Sequence, residues 1–208
     1  MRELVFALDY EPGCNRVADA LAEHPNARVR SLSLHATADR LWRVDHATGT
    51  PEALDAIEDA FLTSDYYADC LATEDCGATQ TTRVLDRADD TLVLYSDWER
   101  TPACASVPHI ARDHLGEGVL FETRHEGHHY TWRLIHSGEG NVAAFFDDLA
   151  AAVGESARWR YSALRTRRRR CENPTGHRVP YRRSKRPHSG PLSSTVTTSH
   201  PERSTSAS

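Results

Sequence analysis

The chain contains an internal duplication, which restricts it to folds built from two similar units. Residues 4–11 (LVFALDYE) correspond to residues 92–99 (LVLYSDWE) at an offset of 88. Residues 41–46 (LWRVDH) correspond to residues 131–136 (TWRLIH), and Cys14 corresponds to Cys104, at an offset of 90. Because the shared positions include tryptophan, arginine, histidine and cysteine, the sequence predicts two repeat units at about residues 1–88 and 89–157.

Each repeat has the pattern of a strand, a helix, two strands, a helix and a final strand. Pro12-Gly13 introduces the first helix, and Thr50-Pro51-Glu52 supplies the cap, proline and acid that begin the second. The first-repeat elements are predicted at 3–10, 13–24, 28–36, 40–47, 51–63 and 80–87. The second-repeat elements are predicted at 91–98, 104–115, 118–125, 129–136 and 141–153, with a last strand only if 157–164 provide it.

This order of elements is that of the ferredoxin-like split motif. We therefore expect an α+β fold of two tandem ferredoxin-like (βαββαβ) units, followed by a disordered basic tail at 158–208. An insertion at 64–79, which contains Cys70 and Cys76, breaks the symmetry between the repeats.

The charge changes sign along the chain. Residues 1–157 hold 28 of the 30 acidic residues and 12 of the 25 basic ones, a net charge of −16, whereas residues 158–208 carry +11. Arginine replaces lysine almost everywhere, since Lys185 is the single lysine. This composition indicates a halophilic, GC-rich organism, and the acidic part is expected to repel nucleic acid.

Three interpretations of residues 158–208 remain open. Arg167, Arg168, Arg169 and Arg170 could neutralise phosphates in a non-specific nucleic-acid-binding arm. The segment could instead be a solvated linker. It could also be a frameshift product, because a one-base shift of GC-rich Asp and Glu codons gives runs of Arg and Thr.

Cysteines are the first candidates for chemistry. The chain opens with no signal peptide and has no apolar run long enough to span a membrane, so we expect a cytoplasmic protein with reduced thiols. Cys14 and Cys104 begin equivalent predicted helices, where a helix dipole stabilises a thiolate. With Cys70 and Cys76 they form a candidate redox or metal set, although free cysteines are also ordinary core residues.

A second candidate set is aromatic and histidine-rich. Trp42 and His46 correspond to Trp132 and His136 in the other repeat, and these four could face a ligand between the units or serve as packing anchors. The sequence contains no catalytic triad, P-loop, dinucleotide or zinc-protease motif, so no enzyme activity is predicted. No cofactor is firmly predicted either.

Several stretches resemble the amino-terminal domain of haloarchaeal bacterio-opsin-activator-like (Bat-type) helix-turn-helix regulators. The resembling stretches are residues 1–8 (MRELVFAL), 11–15 (EPGCN), 41–49 (LWRVDHATG), 85–93 (LDRADDTLV) and 114–118 (HLGEG). The resemblance covers about three quarters of the chain.

The resemblance implies a sensory domain that responds to a small-molecule effector and controls a carboxy-terminal DNA-binding helix-turn-helix, with a homodimer as the candidate assembly. No such element is expected in residues 158–208, because prolines interrupt any long helix there (Pro174, Pro180, Pro187, Pro191 and Pro201). The expected function is therefore the regulatory part of such a protein. The alternatives are a stand-alone ligand-binding or protein-interaction module and, less favoured, a nucleic-acid binder that uses the basic tail.

Overall fold

A computed structural model describes residues 1–63, 70–71, 76–154 and 157–165 of the chain. The strands are β1 (Arg2–Tyr10), β2 (Arg28–Ala36), β3 (Arg40–Thr48), β4 (Thr79–Arg87), β5 (Thr91–Glu99), β6 (Leu120–Glu126), β7 (His129–His136) and β8 (Ala157–Arg165). The helices are α1 (Arg16–Glu23), α2 (Pro51–Leu62), α3 (Val107–Leu115) and α4 (Val142–Val153). The predicted α+β class and the predicted order of elements are confirmed.

Local chemistry explains where the helices begin. The side chain of Asn15 accepts a hydrogen bond from the Ala18 backbone at 2.9 Å, and Thr50 caps α2 in the same way with Pro51 in its first turn. Asn141 caps α4 through the Ala144 backbone at 3.1 Å. These caps satisfy backbone N–H groups that a helix cannot satisfy internally.

The strands form one antiparallel sheet of eight, in the order β4-β5-β3-β2-β6-β7-β1-β8. One half is β4-β5-β3-β2 and the other half is β8-β1-β7-β6, so each half contains three strands of one repeat and the first strand of the other. Self-contained tandem units were expected from the sequence. The sheet departs from that expectation because β1 and β5 are exchanged between the halves.

The core lies between one face of the sheet and the helices. Alternate residues of β1, β3, β5 and β7 are buried, as the two-residue period of a strand requires. The helices pack on this face as the pairs α1–α2 and α3–α4. Phe6 of β1 makes an edge-to-face contact with Phe145 of α4, with ring centroids 5.8 Å apart. We call the opposite side of the sheet the open face.

Strand β8 occupies the place predicted for the missing last strand. Its Arg160 pairs with Asp9 at 2.9 Å and its Arg158 pairs with Glu11 at 3.2 Å, so the basic segment neutralises the acidic end of β1. The change of charge predicts that the domain ends at residue 157 and that a disordered tail follows. The strand instead continues past that residue, so the folded domain includes the first residues of the basic segment. Arg167–Arg170 and the rest of the expected tail lie outside the described residues.

No helix in the described part of the chain is both long enough and apolar enough to cross a membrane.

Candidate functional site

Three of the four predicted cysteines come together in space. The Sγ atoms of Cys70, Cys76 and Cys104 all lie within 4.8 Å of one another, and those of Cys70 and Cys76 are 3.5 Å apart. Cys104 is buried, whereas Cys70 and Cys76 are half-buried. We call these three residues the thiol cluster.

The backbone around the start of α3 holds the thiol cluster in place. The Leu71 backbone N–H donates to the Ala105 carbonyl at 2.8 Å, and Cys70 forms an isolated antiparallel bridge with Ser106, the N-cap of α3. The Thr101 hydroxyl donates to the Cys76 carbonyl, while the Thr101 backbone N–H donates to Cys104 Sγ at 3.4 Å. Two segments distant in sequence are therefore joined beside one helix terminus.

The thiols of the cluster have different proton affinities. Burial and the hydrogen bond with Cys104 raise the pKa of Cys76 to about 12. Burial also disfavours the Cys104 thiolate, but hydrogen bonds from Cys76 and Thr101, together with the Arg100 charge, lower the Cys104 pKa overall. Of these two thiols, Cys104 therefore loses its proton the more readily, with the Cys76 thiol as its hydrogen-bond donor.

The spacing of the sulfur atoms suits a thiophilic metal ion. A tetrahedral ion with metal–sulfur bonds of about 2.3 Å holds its sulfur ligands about 3.8 Å apart. The separation of Cys70 Sγ and Cys76 Sγ is 3.5 Å and the other two separations are no more than 4.8 Å, so small side-chain movements would bring all three to this value. Three thiolates select Zn²⁺, Cu⁺ and similar soft ions over Mg²⁺ or Ca²⁺. Within the described residues no fourth ligand joins these three sulfur atoms.

Cys14 does not belong to the thiol cluster. It is exposed and directly precedes Asn15, the N-cap of α1, whereas Cys104 lies two residues before Ser106, the N-cap of α3. The two cysteines match in the sequence alignment, but the helices that follow them begin at different distances. The sequence therefore identified the three cluster members together with one cysteine that the fold places elsewhere.

The predicted ligand face of Trp42, His46, Trp132 and His136 does not form a single surface. Trp132 and His136 are buried on the helix side of β7, whereas Trp42 and His46 lie on the open face of β3. Trp132 belongs to the buried core of the domain. Trp42 stacks on His35 instead, with ring centroids 5.8 Å apart.

The junction of β2 and β6, which we call the seam, carries a feature that sequence reasoning missed. Strand β2 has a bulge between Ser31 and Ser33, after which its regular pairing with β6 ends, and residues of β2, β6 and β7 line a cleft of about 360 Å³ there. A neighbouring cavity of about 250 Å³ includes Trp42 in its wall. The sequence of β2 does indicate the bulge. Its apolar residues change from an odd-numbered position at Val29 to even-numbered positions from Leu32 onward, as an extra residue in the strand requires.

Comparison with known proteins assigns the chain to a family. A protein-family model described as HVO_2928_N, N-terminal, matches residues 3–170. The name is that of a haloarchaeal protein family, and the matched range runs from β1 to β8. No curated protein and no solved structure matches the chain.

Proposed function

We propose that this chain, which belongs to the HVO_2928_N, N-terminal, family, is the sensory domain of a Bat-type transcription regulator and responds to a thiophilic metal ion. The observation that carries the proposal is the convergence of Cys70, Cys76 and Cys104 within 4.8 Å. In such a regulator, DNA contact belongs to a helix-turn-helix that follows the sensory domain. The role proposed here is regulatory and not catalytic.

Packing alone is a poor explanation for the thiol cluster. Buried cysteines that only fill space need no sulfur neighbour, because they behave as small apolar residues. Here Cys70 and Cys76 lie outside the long strands, remain partly accessible, and nevertheless approach Cys104. That arrangement is the one in which thiolates bind soft metal ions.

The location of the thiol cluster offers a route for a response. Cys104 precedes α3, and α3 packs against α4. An ion held by all three sulfur atoms would fasten the segment at Cys70–Cys76 to the start of α3. Metal binding would therefore favour one arrangement of the α3–α4 pair, which an attached module or second subunit could detect.

A second candidate function is thiol oxidation, which the 3.5 Å separation of Cys70 Sγ and Cys76 Sγ favours. Oxidation of these two thiols to a disulfide would release two protons and transfer two electrons to an oxidant such as hydrogen peroxide, which is reduced to water. Such a response would need no metal.

Titration of the reduced full chain with Co²⁺ in concentrated salt tests the metal proposal. We expect a thiolate-to-cobalt charge-transfer band that saturates at one ion per chain and disappears on addition of Zn²⁺. Cys70→Ser, Cys76→Ser and Cys104→Ser should each weaken binding by about 100-fold or more, because each removes a ligand. Amide exchange at the start of α3 should slow when Zn²⁺ binds.

The matched control for this titration is Cys14→Ser, which removes an exposed thiol outside the thiol cluster and should leave binding unchanged. Absence of the charge-transfer band in the wild-type chain, or equal loss in Cys14→Ser, would show that the thiol cluster is not a metal site. Peroxide treatment that consumes two thiols of a chain unable to bind cobalt would favour the oxidation function.

A further inference from the structure

The seam has the shortest regular pairing of any junction in the sheet, and this observation is independent of the thiol cluster. Strands β2 and β6 pair over three residues, Val29–Ser31 with Thr123–His125. Every other neighbouring pair of strands is joined over seven to nine residue pairs. Beyond Ser31 the regular pairing of β2 with β6 ends, although the two strands remain side by side.

The walls of the cleft are apolar and accessible. Leu32 is 57 % exposed and Leu120 is 61 % exposed, and Leu34, Phe121 and Ile135 complete the apolar lining. Exposed leucines on both sides of a concave surface are unusual on a domain whose surface is otherwise rich in carboxylates. The volume of about 360 Å³ lies within the range of small-molecule sites.

A charged ladder forms one side of the cleft. Glu122 accepts hydrogen bonds from Arg30 at 3.2 Å and from Arg133 at 2.7 Å, and Arg133 also donates through Nε to Glu3 at 2.7 Å. These bonds use Nε and Nη1 of Arg133, while its Nη2 group has no hydrogen-bond partner within the described part of the chain. The Arg133 side chain is 38 % exposed. The ladder is neutral in total and retains one guanidinium donor for an incoming acceptor.

We propose that this cleft binds a small amphiphilic carboxylate, an apolar chain or ring that ends in a carboxylate group. The apolar part would cover Leu32 and Leu120, and the carboxylate would accept a hydrogen bond from Arg133 Nη2. Arginine is suited to this role because a charge-assisted hydrogen bond to a carboxylate is stronger than one to a neutral acceptor. Ligand binding there would bridge the two halves of the sheet where they are least connected.

Isothermal titration of the full chain with octanoate tests the proposal, with octanol and acetate as probes of the separate halves of the ligand. We expect octanoate to bind at least about ten-fold more tightly than octanol or acetate, because octanol lacks the carboxylate and acetate lacks the apolar chain. Leu120→Asp should weaken octanoate binding by more than about ten-fold through lost apolar contact and added repulsion. Arg133→Gln should reduce the preference for octanoate over octanol.

Leu85→Asp is the matched control, because Leu85 is 59 % exposed and lies on β4 outside the cleft. It introduces the same charge at a strand position of similar exposure and should leave octanoate binding unchanged, and circular dichroism establishes that each variant is folded. No octanoate binding by the wild-type chain, or equal weakening by Leu85→Asp and Leu120→Asp, overturns the proposal. Neither result bears on cobalt binding by the thiol cluster, which is a separate site.

Discussion

Replacement of Arg43 by methionine is expected to lower the free energy of unfolding by about 3–5 kcal/mol, the cost of leaving a buried charge without its main partner. Arg43 is 2 % exposed, and its Nη2 group donates to the carboxylate of Asp45, which is fully buried. Its Nη1 group donates to the Tyr130 hydroxyl at 2.9 Å. The substitution therefore disrupts an interaction that joins β3 to β7 beneath the seam.

The double variant Arg43→Met with Asp45→Leu is expected to regain most of this loss. Both charges are then absent, and the desolvation cost that the native pair bears disappears with them. Urea unfolding at one fixed salt concentration gives the four free energies of the double-mutant cycle. Arg40→Met is the control on the same strand, because Arg40 pairs with Asp97 at the surface and salt screens that pair. An Arg43→Met loss no larger than that of Arg40→Met would contradict the expected role of the buried pair.

Most of the secondary structure could be predicted because its signals are local. The cap at Thr50 with Pro51 after it, and the alternation of apolar residues in β7, are set by backbone geometry within a few residues. The hairpin turn is a further example: Glu126-Gly127 predicts a turn at this point, and the turn lies one residue later, at Gly127 and His128, with Gly127 at the positive φ of 51°. Such signals remain valid whichever strand becomes the neighbour.

The exchange of β1 and β5 is not a local property, and the periodicity of the strands could not reveal it. One feature of the sequence nevertheless favours the pairing of β5 with β4. Strands β4 and β5 are separated by residues 88–90, and the Ala88 backbone N–H donates to the Thr91 carbonyl at 2.8 Å. So short a connection makes β5 the antiparallel neighbour of β4. Strand β5 therefore occupies the position beside β4 that β1 would take in a self-contained unit.

The candidate sites likewise depend partly on local sequence and partly on how distant segments come together. Cysteine identity and spacing could nominate Cys70, Cys76 and Cys104, but the convergence of their sulfur atoms depends on the bridge between Cys70 and Ser106. The aromatic set failed for a simpler reason. Trp42 and Trp132 are aligned when the two repeats are compared. Strand β3, however, buries Arg43, whereas β7 buries Trp132, so the two aligned tryptophans lie on opposite faces of the sheet. A shift of one residue reverses the direction of every side chain.

Acid should destabilise the domain steeply below pH 6.5, and the two buried histidines with the most strongly lowered pKa values, His125 and His109, are the expected main cause. Burial, reinforced by Arg43, His128 and His129, lowers the pKa of His125 to about 3. Burial and the Arg100 charge lower the pKa of His109 to about 4, and its Nδ1 lies 2.7 Å from Ser106 Oγ.

The sign of the effect follows from which state binds the protons. In the unfolded chain a histidine has a pKa of about 6.5, so between pH 6.5 and the lower folded values the unfolded state binds more protons. Unfolding is therefore favoured as the pH falls through this window, by about 1.4 kcal/mol per pH unit for each histidine. From pH 6.5 to 4.5 the two residues together should remove about 4–5 kcal/mol, and their contribution should vanish only above about pH 7.5, because the unfolded histidines are still half protonated at pH 6.5.

Urea unfolding at pH values from 6.5 to 4.5, in constant salt, measures this dependence directly. His125→Phe retains a ring to stack on Tyr130, whose centroid lies 4.3 Å from that of His125, and it should reduce the slope by about 1.4 kcal/mol per pH unit. His46→Gln is the control, because His46 is exposed on the open face and its replacement should leave the slope unchanged. A slope that is the same in wild type and His125→Phe would assign the acid sensitivity to other groups. A reduced slope in His125→Phe alone would show that the buried imidazole beneath the seam makes folding of this domain depend on pH.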